Sequence, residues 1–499
     1  MKKSIMIQGT SSGSGKSMIV TALCRYFSNL GLKVSPFKAQ NMALNSFVTV
    51  EGGEIGRSQA LQAEAARVVP SVHMNPILLK AEGESFTQLI VHGRWMTRLK
   101  AKDYYGIKKN LWKYVRESIE ILQDNYELLV VEGAGSPAEI NLMETDIVNM
   151  AVAKHLNSPV LLVGDIERGG VFASLFGTMS LLGEDVSLIQ GLLINKFRGD
   201  REILKPGILK IESITGKKVM GVIPYLKNLL LPEEDSLGLN EAYGLNSSSQ
   251  VEKLKVVVVR LPYISNFTDF DPLCLEEDVE LLYSLRPSDI ESADLIILPG
   301  TKKTVEDLLF LREKGLDKSL KKAKIKGSLI IGICGGYQML GKKLIDSKGV
   351  ESPHKEVPGL GFLDIETLFE DVKYTCQVNA KILREDLFTN PIDNLCGYEI
   401  HKGITRGNSG LFLLIRTPGG EEILDGTIEE NCMGTYVHGI FENDLFRREI
   451  LNLVRKRKGL EALPCKISYA KFKDTLIENL AKKFVENVEI NSIMRLLKL

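Results

Sequence analysis

The chain has 499 residues, of which 44% are apolar and 25% charged, a composition typical of a soluble globular protein with about two to four domains. Its 63 basic residues equal its 63 acidic residues, so we expect neither nucleic acid nor an anionic membrane as a partner, and no obligate protein partner is evident. The seven scattered cysteines contain no Cys-x-x-Cys pair, which favours a reducing, cytoplasmic setting.

Short β-branched runs alternate along the chain with longer helical stretches, which is typical of parallel sheets joined by crossover helices. The start, Met1–Ile7, predicts a β-strand rather than a signal peptide. The predicted strands are Ser4–Gln8, Lys33–Phe37, Glu127–Val131, Val160–Gly164, Leu188–Asn195, Lys218–Ile223, Leu254–Arg260, Asp294–Leu298, Ser328–Ile333 and Met433–His438. Two helices, Asp444–Arg457 and Tyr469–Val488, are predicted to close the chain. The pattern predicts an α/β fold with two domains, each a mostly parallel sheet with helices on both faces.

A polar stretch between Pro232 and Gln250 interrupts this alternation. It is rich in Ser, Asn and Gly and has no apolar period, so it predicts a domain boundary. The expected division is a first domain over residues 1–235, a linker over 236–252, and a second domain over 253–499 that includes the closing helices.

A loop rich in glycine and serine lies between the first predicted strand and a helix. Such a loop turns backbone amides towards phosphate oxygens, while Lys16 would reach the β- and γ-phosphates of ATP and the Ser17 hydroxyl would bind Mg²⁺. Five residues separate Gly9 from Gly15, one more than in the common phosphate loop. The alternative is a flexible turn before an ordinary helix. The predicted ATP-binding residues are Gly9, Thr10, Ser12, Gly13, Ser14, Gly15, Lys16 and Ser17.

Polar side chains follow several predicted strands, at the sheet edge where α/β folds bind ligands. Glu132 is a candidate Mg²⁺ ligand, because the glycines beside it permit close approach. Glu54 is as compatible with a metal ligand as with a plain turn carboxylate. Asp165 is a candidate for phosphate, metal or substrate contact, and Lys38 for reaching the phosphate site. Asn195 is a candidate for binding the nucleobase, with a strand-end cap as the alternative.

An apolar strand runs into Cys334, two glycines and a helix within the segment Ser328–Leu340. This arrangement is a nucleophile elbow in which cysteine takes the place of serine. The tight turn would project the sulfur, the helix N-terminus would favour the thiolate, and the Gly335 amide would donate to a developing oxyanion. The alternative is a small buried cysteine with no chemical role.

A cysteine nucleophile needs a base and a second amide donor. His438 follows a predicted strand and is the candidate base, with a core histidine as the alternative. The glycine loop at Gly300 is the candidate for the second donor, and Gln338 is a candidate for binding the glutamine substrate. The position two residues after the histidine is Ile440, so the third member of a triad is vacant there or comes from elsewhere; Glu442 lies near in sequence.

These motifs resemble known families. The longer phosphate loop resembles the dethiobiotin synthetase-like branch of phosphate-loop proteins, and the segments around Cys334, His438 and Gly300 resemble class I glutamine amidotransferases. Four longer stretches resemble the cobyric acid synthase family, and the resemblance covers essentially the whole chain; they are Pro36–Ser46, Gly53–Ala63, Gly164–Phe172 and Gly397–Gly403.

The first of these stretches contains three amide side chains that are candidates for binding a polar substrate, although a capped turn would have the same composition. They are Gln40, Asn41 and Asn45.

The resemblance implies a phosphate-loop NTPase-like domain followed by a flavodoxin-like amidotransferase domain, with ATP and Mg²⁺ required. It further implies that ATP activates carboxylates of adenosylcobyrinic acid a,c-diamide as acyl phosphates. Ammonia from glutamine would convert four of these carboxylates to amides, giving cobyric acid. Two alternatives stay open: a related cobyrinic acid a,c-diamide synthase, and a phosphate-loop ATPase switch with an inactive amidotransferase domain.

Overall fold

Each of the two units of the chain is built around a six-stranded, mostly parallel sheet. The computed structural model describes residues 2–82, 86–226, 251–388, 390–392, 394–407 and 409–499. The first unit consists of Met1–Ala43, Glu54–Pro232 and Lys473–Leu499, and the second of Leu44–Gly53 and Glu233–Phe472. The predicted α/β fold with two mostly parallel sheets is confirmed.

The elements up to residue 226 begin with a strand, and all six strands predicted in this part of the chain are present. The strands are β1 (Lys3–Gly9), β2 (Val34–Phe37), β3 (Gln40–Met42), β4 (Ser46–Val48), β5 (Glu54–Gly56), β6 (Ile77–Glu82), β7 (Phe86–Val91), β8 (Arg94–Lys100), β9 (Leu128–Glu132), β10 (Val160–Asp165), β11 (Ile189–Phe197) and β12 (Val219–Pro224). The helices are α1 (Lys16–Asn29), α2 (Arg57–Ala65), α3 (Ala101–Asn125), α4 (Met150–Leu156), α5 (Val171–Leu181) and α6 (Arg201–Thr215).

The main sheet of the first unit has the strand order β12-β11-β10-β1-β9-β2, and every pair in it is parallel. Successive residues of β1 face opposite sides, so Met6 packs in one hydrophobic cluster while Ile5 and Ile7 pack in another. Burial on both faces explains why these strands are almost continuously apolar. Because all six strands are parallel, their carboxyl ends share one edge of the sheet. A second sheet, β3-β6-β7-β8, is mostly antiparallel.

The elements after residue 251 form the second unit and the closing helices. The strands are β13 (Leu254–Val259), β14 (Val279–Ser284), β15 (Leu295–Leu298), β16 (Leu329–Ile333), β17 (Lys343–Ile345), β18 (Glu356–Pro358), β19 (Glu366–Ile382), β20 (Leu395–Arg406), β21 (Phe412–Thr417), β22 (Glu422–Asp425), β23 (Thr427–Glu429) and β24 (Cys432–Thr435). The helices are α7 (Pro287–Glu291), α8 (Thr304–Glu313), α9 (Leu316–Lys326), α10 (Gly335–Leu340), α11 (Asp444–Arg457), α12 (Tyr469–Val485) and α13 (Ile490–Leu496).

The main sheet of the second unit has the order β14-β13-β15-β16-β24-β23, parallel except for the edge pair β23–β24. The unit also contains a second sheet, β18-β17-β19-β21-β22, with β20 paired to β19. The sequence interpretation did not predict this sheet. A 3₁₀ helix, Phe267–Leu275, follows β13.

The closing helices require a correction to the predicted domains, because Lys473–Leu499 belongs to the first unit rather than the second. The physical reason is an apolar face on α12 and α13, where Ile477, Phe484 and Ile493 are buried in the same cluster as residues of α1. Arg25 of α1, itself buried, also forms an ion pair with Asp474 at 2.7 Å.

Two further points concern the predicted boundaries. The short segment Leu44–Gly53 belongs to the second unit, which the sequence interpretation did not foresee. The predicted linker over 236–252 lies outside the described residues except for its last two positions. No helix in the part of the chain that the structure describes is long and apolar enough to cross a membrane.

Candidate active sites

The carboxyl ends of the parallel strands bring the first set of predicted residues to one edge of the first unit. The loop after β1 begins at Gly9, and Glu132 ends β9, where it pairs in register next to Ile7. Asp165 ends β10 and is paired in register with Asn195 of β11. Parallel topology alone therefore gathers side chains that are far apart in sequence at the edge where α/β sheets bind ligands.

The phosphate loop is tightly folded before α1. At Gly15 the backbone φ is 93°, a left-handed conformation that favours glycine, and a side chain there would collide with the Asn195 carboxamide. Asn195 donates a hydrogen bond to the Ser14 carbonyl at 2.9 Å. Asn195 thus packs against the phosphate loop, and binding of a nucleobase by this side chain stays a prediction.

Polar atoms in this loop are arranged as an anion site requires. The Lys16 ammonium is held by the carbonyls of Ser11 at 2.9 Å and Gly135 at 3.1 Å. The Ser14 hydroxyl is buried without a hydrogen-bond partner among the described residues. A buried hydroxyl without a partner is unfavourable. The loop therefore fits a bound phosphate, whose oxygen would accept a hydrogen bond from the Ser14 hydroxyl.

Glu132 is the centre of a buried polar network. Its Oε1 accepts a hydrogen bond from the Ser17 hydroxyl at 2.8 Å and pairs with the Lys38 ammonium at 2.8 Å, and its Oε2 accepts one from Gln62 at 2.5 Å. Burial alone would raise the pKa of Glu132, but the Lys38 charge and these hydrogen bonds lower it below its usual value. An ionised carboxylate beside a hydroxyl is the oxygen ligand set that Mg²⁺ prefers, so these residues fit the metal.

The other predicted carboxylates have lysine partners of their own. Glu54 forms a buried ion pair with Lys80, and Asp165 pairs with Lys196 at 2.9 Å while accepting a hydrogen bond from the backbone of Glu167. Within the described ranges, no three His, Cys, Asp or Glu side chains form a metal cluster. Metal binding by Glu54 stays a prediction, and it would require the carboxylate to exchange its lysine partner.

The three predicted substrate amides separate into two groups. Gln40 accepts a hydrogen bond from Tyr104, and Asn41 is buried and donates to Gln59 at 2.9 Å, both within the first unit. Asn45 instead belongs to the second unit, has no exposed surface, and accepts a hydrogen bond from the backbone amide of Phe267 at 3.2 Å. The Asn45 carboxamide oxygen is thus used inside the protein, and substrate binding by any of the three amides stays a prediction.

In the second unit, Cys334 lies at a sharp turn between β16 and α10. Its backbone has φ 53° and ψ −110°, a strained conformation for a residue with a side chain, of the kind that occurs at active sites. Its amide donates to the Thr435 carbonyl at 2.9 Å, and its sulfur lies 3.5 Å from the Ile400 carbonyl. The predicted elbow is present, and Gly336 permits it, since a side chain there would collide with the backbone of Leu298.

His438 lies just beyond β24 and is held by a carboxylate that the sequence interpretation missed. Its Nδ1 lies 2.7 Å from Oδ2 of Asp269, in the 3₁₀ helix Phe267–Leu275, and both side chains are buried. The Gly439 amide donates to the other carboxylate oxygen at 3.2 Å. Cys334 lies close enough to His438 to contribute to the pKa of its imidazole. The site therefore groups a thiol, an imidazole and a carboxylate, which is the composition of a nucleophilic triad.

The charge state of His438 follows from these contacts. Burial alone would lower the pKa of its imidazole, but the charge of the Asp269 carboxylate, the negative charge of a Cys334 thiolate and the hydrogen bond to Asp269 raise it to about 10. The imidazole is therefore protonated near neutral pH. A protonated imidazole beside a thiol favours the reactive thiolate and supplies a proton for a leaving group.

The predicted oxyanion donors lie beside this triad. A side chain built on Gly335 would approach the Thr301 backbone nitrogen to 3.2 Å, and one on Gly300 would approach Cε1 of His438 to 2.9 Å. The strand-end loop and the first amide of α10 therefore converge around the sulfur and the base. Donation by these amides to an oxyanion stays a prediction.

Gln338, the candidate for glutamine binding, uses its side chain inside the protein. Its oxygen accepts a hydrogen bond from Thr304 at 3.1 Å, and its nitrogen donates to the Lys402 carbonyl at 2.9 Å and to the Tyr436 hydroxyl at 3.1 Å. Contact with glutamine would require one of these bonds to be exchanged.

Comparison with known proteins agrees with this division of chemistry. Residues 5–237 match the CobQ/CobB/MinD/ParA nucleotide binding domain, and residues 255–446 match the CobB/CobQ-like glutamine amidotransferase domain. The chain is 51% identical over 493 residues to a cobyric acid synthase of Thermodesulfovibrio yellowstonii, covering 99% of each. It is 46% identical over 509 residues to a cobyric acid synthase of Thermoanaerobacter sp., covering 100% of this chain and 99% of the relative. The chain belongs to the cobyric acid synthase family.

Membership of the cobyric acid synthase family confirms the resemblance stated from the sequence. It also confirms the enzyme class, an ATP-dependent ligase with a glutamine amidotransferase domain. The match to these relatives covers both units, so the family assignment does not rest on one domain alone.

Proposed function

We propose that the protein converts four peripheral carboxylates of adenosylcobyrinic acid a,c-diamide to amides, giving cobyric acid. The observation that carries this proposal is the joint presence, in a chain 51% identical to a cobyric acid synthase, of a Cys334–His438–Asp269 triad and a phosphate loop beside Glu132. An inactive amidotransferase domain would have no need to retain the strained turn at Cys334 and the buried acid–base pair.

In the second unit, the Cys334 thiolate attacks the amide carbon of glutamine. The backbone amides near Gly335 and Gly300 stabilise the negative oxygen that develops. The protonated His438 gives its proton to the departing nitrogen, and ammonia leaves. Water then cleaves the thioester with His438 as base, so that glutamine and water become glutamate and ammonia.

In the first unit, backbone amides of the loop and the Lys16 ammonium hold the β- and γ-phosphates of ATP. Ser17 and Glu132 would hold Mg²⁺, which would neutralise developing charge on the phosphates. The substrate carboxylate displaces ADP from the γ-phosphorus to form an acyl phosphate. Ammonia attacks its carbonyl carbon, and inorganic phosphate departs with formation of the amide. The ion pair between Lys38 and Glu132 supports a role for Lys38 in stabilising charge at this site.

The proposal places the reaction in the cytoplasm with small-molecule substrates. All seven cysteines are free thiols, and Cys334 must remain reduced to act. No protein partner is required by the chemistry, because one chain contains both the ammonia-producing and the ammonia-using residues.

Mass spectrometry of corrinoid products tests the proposal directly. The enzyme is incubated with ATP, Mg²⁺, glutamine and adenosylcobyrinic acid a,c-diamide, and we expect four successive carboxyl-to-amide conversions that require all components. Cobyrinic acid is supplied in a parallel reaction. Amidation confined to cobyrinic acid, ending at the diamide, would assign the chain to the related a,c-diamide synthase reaction instead.

A further inference from the structure

The segment Leu44–Gly53 belongs to a different unit from the residues that flank it in sequence. Its neighbours in sequence on both sides belong to the first unit, whereas the segment itself is part of the second. Two hydrogen bonds join it to the residues that precede Asp269. Asn45 accepts one from the Phe267 amide at 3.2 Å, and the Ser46 amide donates the other to the Asn266 side chain at 3.3 Å. In one bond the segment accepts and in the other it donates, and together they fix residues 45–46 in register with residues 266–267.

The residues held in this way determine where Asp269 lies. Asn266 precedes the 3₁₀ helix and has a left-handed backbone with φ 53°, and its carbonyl accepts a hydrogen bond from the Asp269 amide at 3.0 Å. Asp269 therefore lies one turn beyond Asn266 and Phe267, the two residues that are hydrogen-bonded to the segment. A shift at Asn266 or Phe267 would move the carboxylate relative to His438.

Tyr398 links the same segment to the base. Its hydroxyl lies within hydrogen-bond distance of the Ser46 carbonyl at 3.3 Å and of the Asn266 carboxamide at 3.2 Å. Its ring stacks on His438 with the centroids 5.3 Å apart and the planes inclined by 16°. The backbones of Tyr398 and His438 also exchange two hydrogen bonds, at 2.8 and 3.2 Å. The same hydroxyl lies 3.5 Å from Oδ1 of Asp269, so this one tyrosine contacts the segment, the acid and the base.

The rest of the segment is anchored to the second sheet of the same unit. The Val48 carbonyl accepts a hydrogen bond from Gln377 of β19 at 2.9 Å, and the Val48 side chain is buried against Tyr398 and Ile400. The Phe47 ring lies 6.0 Å from that of Tyr398. These contacts fix the position of the segment relative to Tyr398 and β19.

We propose that Leu44–Gly53 is a positioning strap for the glutaminase triad, in which Asn45 and Tyr398 act as positioning residues that hold Asp269 and His438 in catalytic geometry. The proposal rests on the glutaminase function assigned to Cys334. It adds a requirement on that function: a segment from the N-terminal part of the chain completes the site in the second unit.

Glutamine hydrolysis by the full-length Asn45→Ala enzyme tests the strap. Removal of the carboxamide leaves the Phe267 amide without its acceptor and frees Asp269 to shift. We expect kcat for glutamate release to fall by about 10- to 100-fold, since a misplacement near 1 Å costs that much, with little change in KM. Synthesis from added ammonia should fall by much less than glutamine-dependent synthesis, because the triad is not used when ammonia is supplied.

The pH profile separates positioning from general destabilisation. The titratable groups facing His438 are Asp269, Cys334 and the stacked Tyr398. A displaced Asp269 no longer stabilises the imidazolium, so the alkaline limb of glutaminase kcat/KM should move to lower pH. The matched control is Asn452→Ala, since Asn452 is another buried asparagine of the second unit, bonded to the Leu463 backbone by both of its polar atoms at 2.9 Å. Its loss should leave the profile in place.

Tyr398→Phe provides a second test, because it keeps the ring on His438 and removes only the hydroxyl contacts. We expect the same direction of change, reduced in size, even where Asn45→Ala folds poorly. Wild-type kcat and pH profile in both variants would overturn the strap, as would equal losses in Asn45→Ala and Asn452→Ala with unshifted profiles. Failure of the proposed function is distinct: it would appear as wild-type enzyme that releases no glutamate, or as Cys334→Ala that still does.

Discussion

The Asp269 carboxylate is the largest of the contributions that raise the pKa of His438. With Asp269 at 2.7 Å, the pKa of His438 is raised from the usual 6.5 to about 10, although burial alone would lower it. The imidazolium therefore persists throughout the physiological range and is lost only as the pH rises through that value. Without the carboxylate, the effect of burial, which lowers the pKa of His438, is opposed less strongly. The imidazolium is then lost at lower pH.

Replacement of this carboxylate should be costly for glutaminase activity. Asp269→Asn keeps the size of the side chain but removes the charge, and we expect kcat for glutamine hydrolysis to fall by about 10² to 10⁴-fold, as for other triads. The alkaline limb of the pH profile should move down towards neutrality. Asp271→Asn, two residues along the same helix, is the control. A profile that matched wild type in Asp269→Asn would exclude this carboxylate from the triad.

Lys16 should be indispensable in the other half of the reaction. In the Lys16→Ala variant the charge that positions the β- and γ-phosphates is lost, so synthesis should fall by more than about 10²-fold with either glutamine or ammonia as nitrogen donor. Product formation is measured by mass spectrometry with saturating ATP. Lys210→Ala, at an exposed position of α6, should retain full synthesis. Ammonia-dependent turnover at the wild-type rate in Lys16→Ala would remove the loop from the mechanism.

The individual residues that sequence reasoning found and missed differ in one respect. Cys334 and Lys16 lie within local motifs, a strand followed by a glycine turn and a helix, and their roles follow from that local context. Asp269 is 169 residues from His438 in sequence, and no spacing rule links an acid on a 3₁₀ helix after β13 to a histidine after β24. Such a pairing exists only once the sheet order has brought the two strand ends together.

The same contrast applies to secondary-structure elements. Ten parallel strands were predictable because burial on both faces makes each of them a short apolar run. The antiparallel strands β8 and β19 were missed because one face of each is exposed, so that their sequences mix charged and apolar residues. The placement of the closing helices in the second domain was also wrong. An apolar face predicts that a helix packs against a core, but it does not predict which of the two cores.

The attachment of α12 to the first unit leads to a prediction about stability. Phe484 is almost fully buried in the cluster that covers α1, so Phe484→Ala should destabilise the first unit by about 3–5 kcal/mol. The effect should appear as earlier loss of nucleotide binding on heating or in urea. The exposed neighbour Lys482 provides a control in Lys482→Ala, whose cost should be within about 0.5 kcal/mol. Loss of glutaminase activity before nucleotide binding would contradict this assignment.

At the scale of the whole molecule, the two chemistries are separated by unit but not by sequence. The first unit contains the phosphate loop and the Glu132 network, and it is completed by the last 27 residues, Lys473–Leu499. The second contains the triad, and it is completed by Leu44–Gly53. If the chain were divided near residue 235, each half would lack a segment that packs in its unit. We expect separately expressed halves to be less stable than the full chain.

The division of chemistry between the units is tested most directly at the sulfur. Only the thioester step uses Cys334, whereas the acyl phosphate formed in the first unit accepts ammonia from any source. Cys334→Ala should therefore lose glutamine-dependent synthesis and retain synthesis from added ammonia at a rate within about twofold of wild type. Products are followed by mass spectrometry at mildly alkaline pH, where more of the added nitrogen is free ammonia. Cys432→Ala, at a buried cysteine of β24, is the matched control and should retain both activities. Loss of both activities in a folded Cys334→Ala enzyme would show that the two sites do not act separately, and full glutamine-dependent activity would show that another group is the nucleophile.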